Sequence, residues 1–177
     1  MANFGILGNG CTCKVCGSDL ISNRKIGCGC QKFYDNATMM VLKNHKEDGW
    51  YKYWSIKNDV YMKYLIAEDA EKIKRTTEKV RAMKKYAKCT EEEIQKIVDT
   101  KIHKSSFIPS IIAQYKEKGF VTYKQIQPIE NHFAWDEDLN ETICNEIKFL
   151  QNKFISEFQS KYDNEIIPLA HKLWGSK

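Results

Sequence analysis

Five cysteines fall within twenty residues near the amino terminus (Cys11, Cys13, Cys16, Cys28 and Cys30), and no other feature restricts the fold so tightly. Two more, Cys89 and Cys144, stand alone, for a total of seven. An odd number argues against a disulfide framework, and the first ten residues lack the basic start and apolar stretch of a secretory signal. Reduced thiols and a cytoplasmic location are therefore expected, and clustered thiols there read as metal ligands.

The cluster opens with Cys13-Lys14-Val15-Cys16-Gly17. Two residues between cysteines bring both sulfurs to one side of a tight turn, and Gly17 lets the backbone fold back without a Cβ clash. The chain returns at Gly27-Cys28-Gly29-Cys30, again with glycines where it must bend closely. Tetrahedral thiolate coordination selects Zn2+. An iron–sulfur cluster is the rival, because its ligand spacing overlaps that of zinc. Five cysteines compete for four positions. Cys13, Cys16, Cys28 and Cys30 are the favoured set, with Cys11 the alternate. Four thiolates leave no open position for water, so the ion is expected to be structural.

CKVCGSDL followed by IGCGC resembles small zinc-knuckle proteins of phage and bacterial mobile elements, whose pattern runs C-x2-C-G-x2-L and then G-I-G-x2-C. Cys13, Cys16, Gly17, Leu20, Ile26, Gly27 and Cys30 fit it, while Lys25 and Cys28 stand where those proteins carry glycine and proline. The likeness covers about residues 11–32. It implies a metal site and a phage-type origin, hence the host cytoplasm, but no activity.

Charge is unevenly spread. Residues 1–88 carry 17 Lys/Arg against 9 Asp/Glu, whereas residues 89–177 carry 11 against 14. The densest run holds Lys72, Lys74, Arg75, Lys79, Arg81, Lys84, Lys85 and Lys88 with one acid, Glu78. A polyanion would be drawn to it through contacts that weaken with salt. A solvated face of a long helix would look the same. Trp50-Tyr51-Lys52-Tyr53-Trp54-Ser55-Ile56 alternates in part, which predicts an extended segment at about 50–56. Trp50, Tyr53 and Trp54 are either rings on which bases stack or core that holds the small module in place.

The remainder predicts helices. Asp35 or Asn36 caps one through Asn44, and a second runs unbroken from Asn58 or Asp59 to about Lys88. Thr90 with Glu93 forms a capping box. Ser105 or Ser106 starts a helix that tolerates Pro109 in its first turn and ends at Gly119; Thr122 starts its partner, with Pro128 expected to kink it. In this pair Phe107, Ser110, Gln114, Gly119, Thr122 and Gln125 resemble a helical hairpin of phage and bacterial replication-associated proteins. A DNA-reading helix-turn-helix would need more than the single lysine that Tyr123–Phe133 offers. Asp136 then caps a long helix in which Leu139, Ile143, Ile147, Leu150, Phe154 and Phe158 recur at three or four residues. That stripe is core, or a homodimer seam along residues 139–158. Pro168 is expected to interrupt it, and Trp174 to tie down the end.

No nucleotide-binding, metalloprotease, esterase or kinase motif is present, and the four histidines are dispersed. No run is apolar enough to span a bilayer. The sequence therefore predicts a mainly α protein: a zinc knuckle or ribbon over 1–34, and a helical body of hairpins and long amphipathic helices over 35–177. It is expected to bind rather than catalyse. The partner is nucleic acid or, in the alternative, a host protein or defence nucleoprotein complex blocked in the manner of an anti-CRISPR.

Overall fold

Proline and glycine are scarce beyond residue 30, so little in the sequence there interrupts helical backbone hydrogen bonding. The computed structural model describes residues 12–18, 28–84, 89–102 and 107–176. Among these are α1 (Gln31–Asn44), a π-helical turn (Lys46–Trp50), α2 (Tyr51–Lys84), α3 (Glu91–Ile102), α4 (Phe107–Lys118), α5 (Tyr123–Phe133) and α6 (Glu137–Gly175). No strand occurs among the described residues beyond bridge positions at Thr12 and Cys13. The chain is mainly α, as its sequence predicts.

Two compact units divide it: Met1–Ile56 with Lys148–Lys177, and Lys57–Ile147. In the first, Tyr34, Ala37, Val41 and Leu42 line one face of α1, at the three- and four-residue spacing of a buried stripe. They share a core with Phe158, Tyr162, Ile166 and Ala170 of α6, and with Cys13, Val15 and Cys30. The cysteine-bearing segment is therefore part of this core.

The aromatic stretch is helical, not extended. The π-helical turn leads into α2 at Tyr51, seven residues before the expected start. Trp50 and Tyr53 pack against the first core, and Val60, Tyr61 and Leu65 carry the same spacing onward as buried residues. Helical periodicity overrides partial alternation because these rings need one common side on which to bury. Gly49 and Trp50 both donate to the His45 carbonyl at 2.9 Å, which closes the π-helical turn. A Cβ on Gly49 would lie 2.9 Å from the Leu42 carbonyl oxygen and 3.0 Å from a Phe158 ring carbon. Gly49→Ala is accordingly expected to cost about 1–3 kcal/mol through overpacking, read by urea denaturation. Unchanged stability would show that the turn can yield.

Other boundaries also shift. α1 starts at Gln31, because the Cys30 carbonyl accepts from the Phe33 and Tyr34 amides and takes over the capping assigned to Asp35 or Asn36. Pro128 sits inside α5, and Pro168 inside α6. The backbone of α6 leaves helical geometry at Tyr162 (φ −113°, ψ 18°), six residues before that proline. This break lets the Tyr162 hydroxyl donate to Asp48, which also accepts from Lys161 at 2.9 Å. Together they hold the Asp48 carboxyl down at about 2, with the tyrosine bond the larger cause. Trp174 is exposed and does not anchor the end.

In the second unit the caps follow their residues. Glu93 accepts from the Thr90 amide at 2.9 Å, and Asp136 accepts from the Leu139 amide at 3.0 Å. Gly119 (φ 73°) ends α4 in the left-handed conformation that favours glycine. Gln114 and Gln125 exchange amide hydrogen bonds at 2.7 and 3.1 Å, and Thr122 and Gln125 form a capping box. The hairpin motif is thus helix-to-helix clasp chemistry. Ile143, Ile147 and Phe158 are buried within one chain, so at these three positions the α6 stripe is core, while Leu139, Leu150 and Phe154 are half-buried. Ser105 and Ser106 lie outside the described residues.

Candidate metal centre

The knuckle is built from its turns. The Gly17 amide donates to the Cys13 carbonyl at 2.9 Å, and the Cys13 amide donates to the Ser18 carbonyl at the same distance. Gly17 (φ 69°) and Gly29 (φ 75°) both take the left-handed conformation beside their cysteines. The Val15 amide points at the Cys13 sulfur, 3.4 Å away. As a result the sulfurs of Cys13, Cys16, Cys28 and Cys30 all lie within 4.8 Å of one another. A tetrahedral ion with bonds of about 2.3 Å places its sulfurs about 3.8 Å apart, so small inward movements would close the site. These four cysteines can hold a metal ion. Cys11 lies outside the described residues.

Burial divides the four thiols. Cys13 and Cys30 are buried, Cys16 is half-buried, and Cys28 is the most exposed. Desolvation pushes the Cys13 and Cys30 thiols up, while the Ser18 hydroxyl and amide bring Cys16 down to about 6. Cys30 also sits at the N-terminus of α1, where the helix dipole favours a thiolate. A metal here must displace protons from the two inner sulfurs, which couples its binding to pH.

Asp163 fastens the knuckle to α6. One carboxylate oxygen accepts from Lys14 Nζ at 2.5 Å, and the other accepts from the Tyr34 hydroxyl. Tyr34 is fully buried, and burial together with this carboxylate pushes its phenol up. Val15, between the ligands, is 0% exposed and inserts into the core. Sequence reading missed Asp163, since a lone acid in a long helix carries no local mark of a contact 149 residues away.

The proposed binding residues are less unified. Lys72, Lys74, Arg75, Lys79 and Arg81 are all exposed on α2. At about 100° per residue, Lys72, Arg75 and Lys79 share one side, and Lys74 and Arg81 the opposite one. Arg75 pairs with Glu71 and Arg81 with Glu91, whereas Lys72, Lys74 and Lys79 have no ion pair among the described residues. Lys85 and Lys88 lie outside the described residues, as does the side chain of Lys84. Of the rings, Trp54 is exposed and Trp50 and Tyr53 are half-buried. Sequence reading also missed a shallow hollow in the second unit, lined by Leu65, Glu68, Asp69, Lys72 and His132 among others, where His132 Nε2 lies 2.8 Å from Glu68.

No protein-family model matches this chain, and no curated protein or solved structure is significantly similar to it. Among the described residues no helix is long and apolar enough to cross a membrane.

Proposed function

We propose that this is a phage-type, non-enzymatic binding protein in which Zn2+ at Cys13, Cys16, Cys28 and Cys30 fixes the amino-terminal segment, and α2 binds a nucleic-acid backbone. The observation that carries the binding reading is the run of exposed cations on α2, three of them without a carboxylate partner among the described residues. Such lysines neutralise phosphates and release counterions, with little reading of base sequence. The closed thiolate set supports a structural rather than a catalytic ion.

Fluorescence anisotropy with DNA and RNA at two salt concentrations tests the reading. Binding should weaken steeply with salt, and Lys72→Gln with Lys79→Gln should flatten the logarithmic slope on duplex DNA by nearly two units. No binding at low salt ends it. Elemental analysis should return one zinc per chain; iron with sulfide would replace the zinc assignment with a cluster.

A host protein or defence complex is the second reading. Trp135 is 90% exposed and Tyr123 74%, and both residue types are prominent in protein-interface hot spots. One stoichiometric protein recovered after nuclease treatment, and lost with Trp135→Ala, would favour it.

A further inference from the structure

In the first unit, the end of α1, the π-helical turn and the start of α2 bring together a ring cluster that the core does not fully cover. Trp50 and Tyr53 stack at 6.3 Å between centroids, and Trp54 stands edge-on to Trp50 at 5.7 Å. Trp50 and Tyr53 have their backs to the core. Trp54 and Tyr51, three residues apart on one side of α2, remain 44% and 59% exposed. Met40 of α1 is 47% exposed, and Lys43, one turn on, holds its ammonium 5.4 Å from the centre of the Trp50 ring.

We infer that Tyr51 and Trp54 form a stacking platform for unpaired bases, flanked by Lys43 and by the exposed Lys46 and Lys52, so that the ligand class is single-stranded nucleic acid. The inference rests on the nucleic-acid reading above and narrows it. Two observations favour this occupant over a protein. The local charge is positive: Lys43, Lys46 and Lys52 are exposed against Glu47 and Glu165, the latter 3.0 Å from His45 Nε2, and Asp48 pairs with Lys161. Lysine is also depleted in protein–protein interfaces, whereas an aromatic surface edged with cations is how strands are held without sequence preference. A duplex keeps its base faces stacked inside and cannot use such rings. The half-buried Trp50 and Tyr53 give the platform a rigid backing, so binding need not order it.

The test compares an oligothymidine strand with a duplex of equal length, titrated against the full chain at low salt. The protein should prefer the strand, with tryptophan fluorescence quenched on binding. Tyr51→Ala with Trp54→Ala should weaken strand binding by about tenfold or more and leave duplex binding unchanged. Trp54→Phe should retain most of the affinity. Both substituted side chains are exposed, and unchanged circular dichroism confirms the fold. Lys72→Gln with Lys79→Gln should weaken strand and duplex alike. Equal affinity for strand and duplex overturns the platform, as does a double-alanine variant that binds like the parent or loses both ligands equally; the α2 lysines then stand as the binding element. No binding to either ligand removes the nucleic-acid reading itself, and the platform with it.

Discussion

Stripping the proposed Zn2+ with a high-affinity chelator under reducing conditions is expected to lower the melting temperature of the first unit by more than about 10 °C. The scale follows from the place of the ligands. Cys13 and Cys30 lie in the core with Val15, Tyr34 and Phe158, so freeing the sulfurs also frees the segment that caps those side chains. Structural zinc contributes about 10–16 kcal/mol of apparent binding energy in small metallodomains at neutral pH, as much as a domain's whole margin of stability, about 5–15 kcal/mol. Circular dichroism should show helix loss that zinc, and not magnesium, restores. Cys16→Ser with Cys28→Ser should reproduce the chelated state with little disturbance of packing, because these are the two outer sulfurs. The pH dependence follows from the thiols: the ion binds thiolates, and burial raises Cys13 and Cys30, so acidification protonates the ligands and releases metal. A melting curve indifferent to chelator would mean that apolar packing alone holds the amino-terminal segment.

Phe158→Ala should cost about 3–5 kcal/mol, in the range of large aromatic truncations in packed cores. The ring is 3% exposed and sits 4.4 Å from Tyr162 and 6.2 Å from Phe154 between centroids, with Gly49 against its edge. Removing it opens a cavity where α1, the π-helical turn and α6 meet, and these elements cannot all close inward, because backbone lies on one side. Guanidinium unfolding measures the loss, and the near-ultraviolet signal of Tyr162 and the nearby tryptophans should fall with it. Phe149→Ala, nine residues away and 68% exposed, is the control and should change stability by less than about 0.5 kcal/mol. A Phe158→Ala variant as stable as that control would show that the cavity collapses without strain.

Local rules carried the cysteine cluster and most helix ends. Cys13 and Cys16, with two residues between them, and Cys28 and Cys30, with one, each lie beside a glycine and need little beyond their own turns to face one another, so the gathering of these four thiols was legible in the linear chain. Thr90 with Glu93, Gly119, Thr122 with Gln125, and Asp136 behave likewise, since a cap satisfies donors within three or four residues. The Leu139–Phe158 periodicity marked a buried face correctly. It could not mark the partner, because an apolar stripe shows the same pattern against its own chain or against another.

The aromatic segment shows where local reading fails. Trp50-Tyr51-Lys52-Tyr53-Trp54 fits a strand over five residues and a helix over sixteen; the longer window, ending in Val60, Tyr61 and Leu65, held the true signal. The break at Tyr162 rather than at Pro168 had no such signal. It follows from where Tyr162 and Asp163 find partners, Asp48 in one case and Lys14 with Tyr34 in the other, more than a hundred residues earlier in the chain. Chemistry written within one turn of backbone is settled before the chain collapses, because the interacting groups are already neighbours. Which rings stay outside, which acid clasps the knuckle and where α6 bends depend on groups that meet only on packing, and no spacing along the chain encodes that meeting.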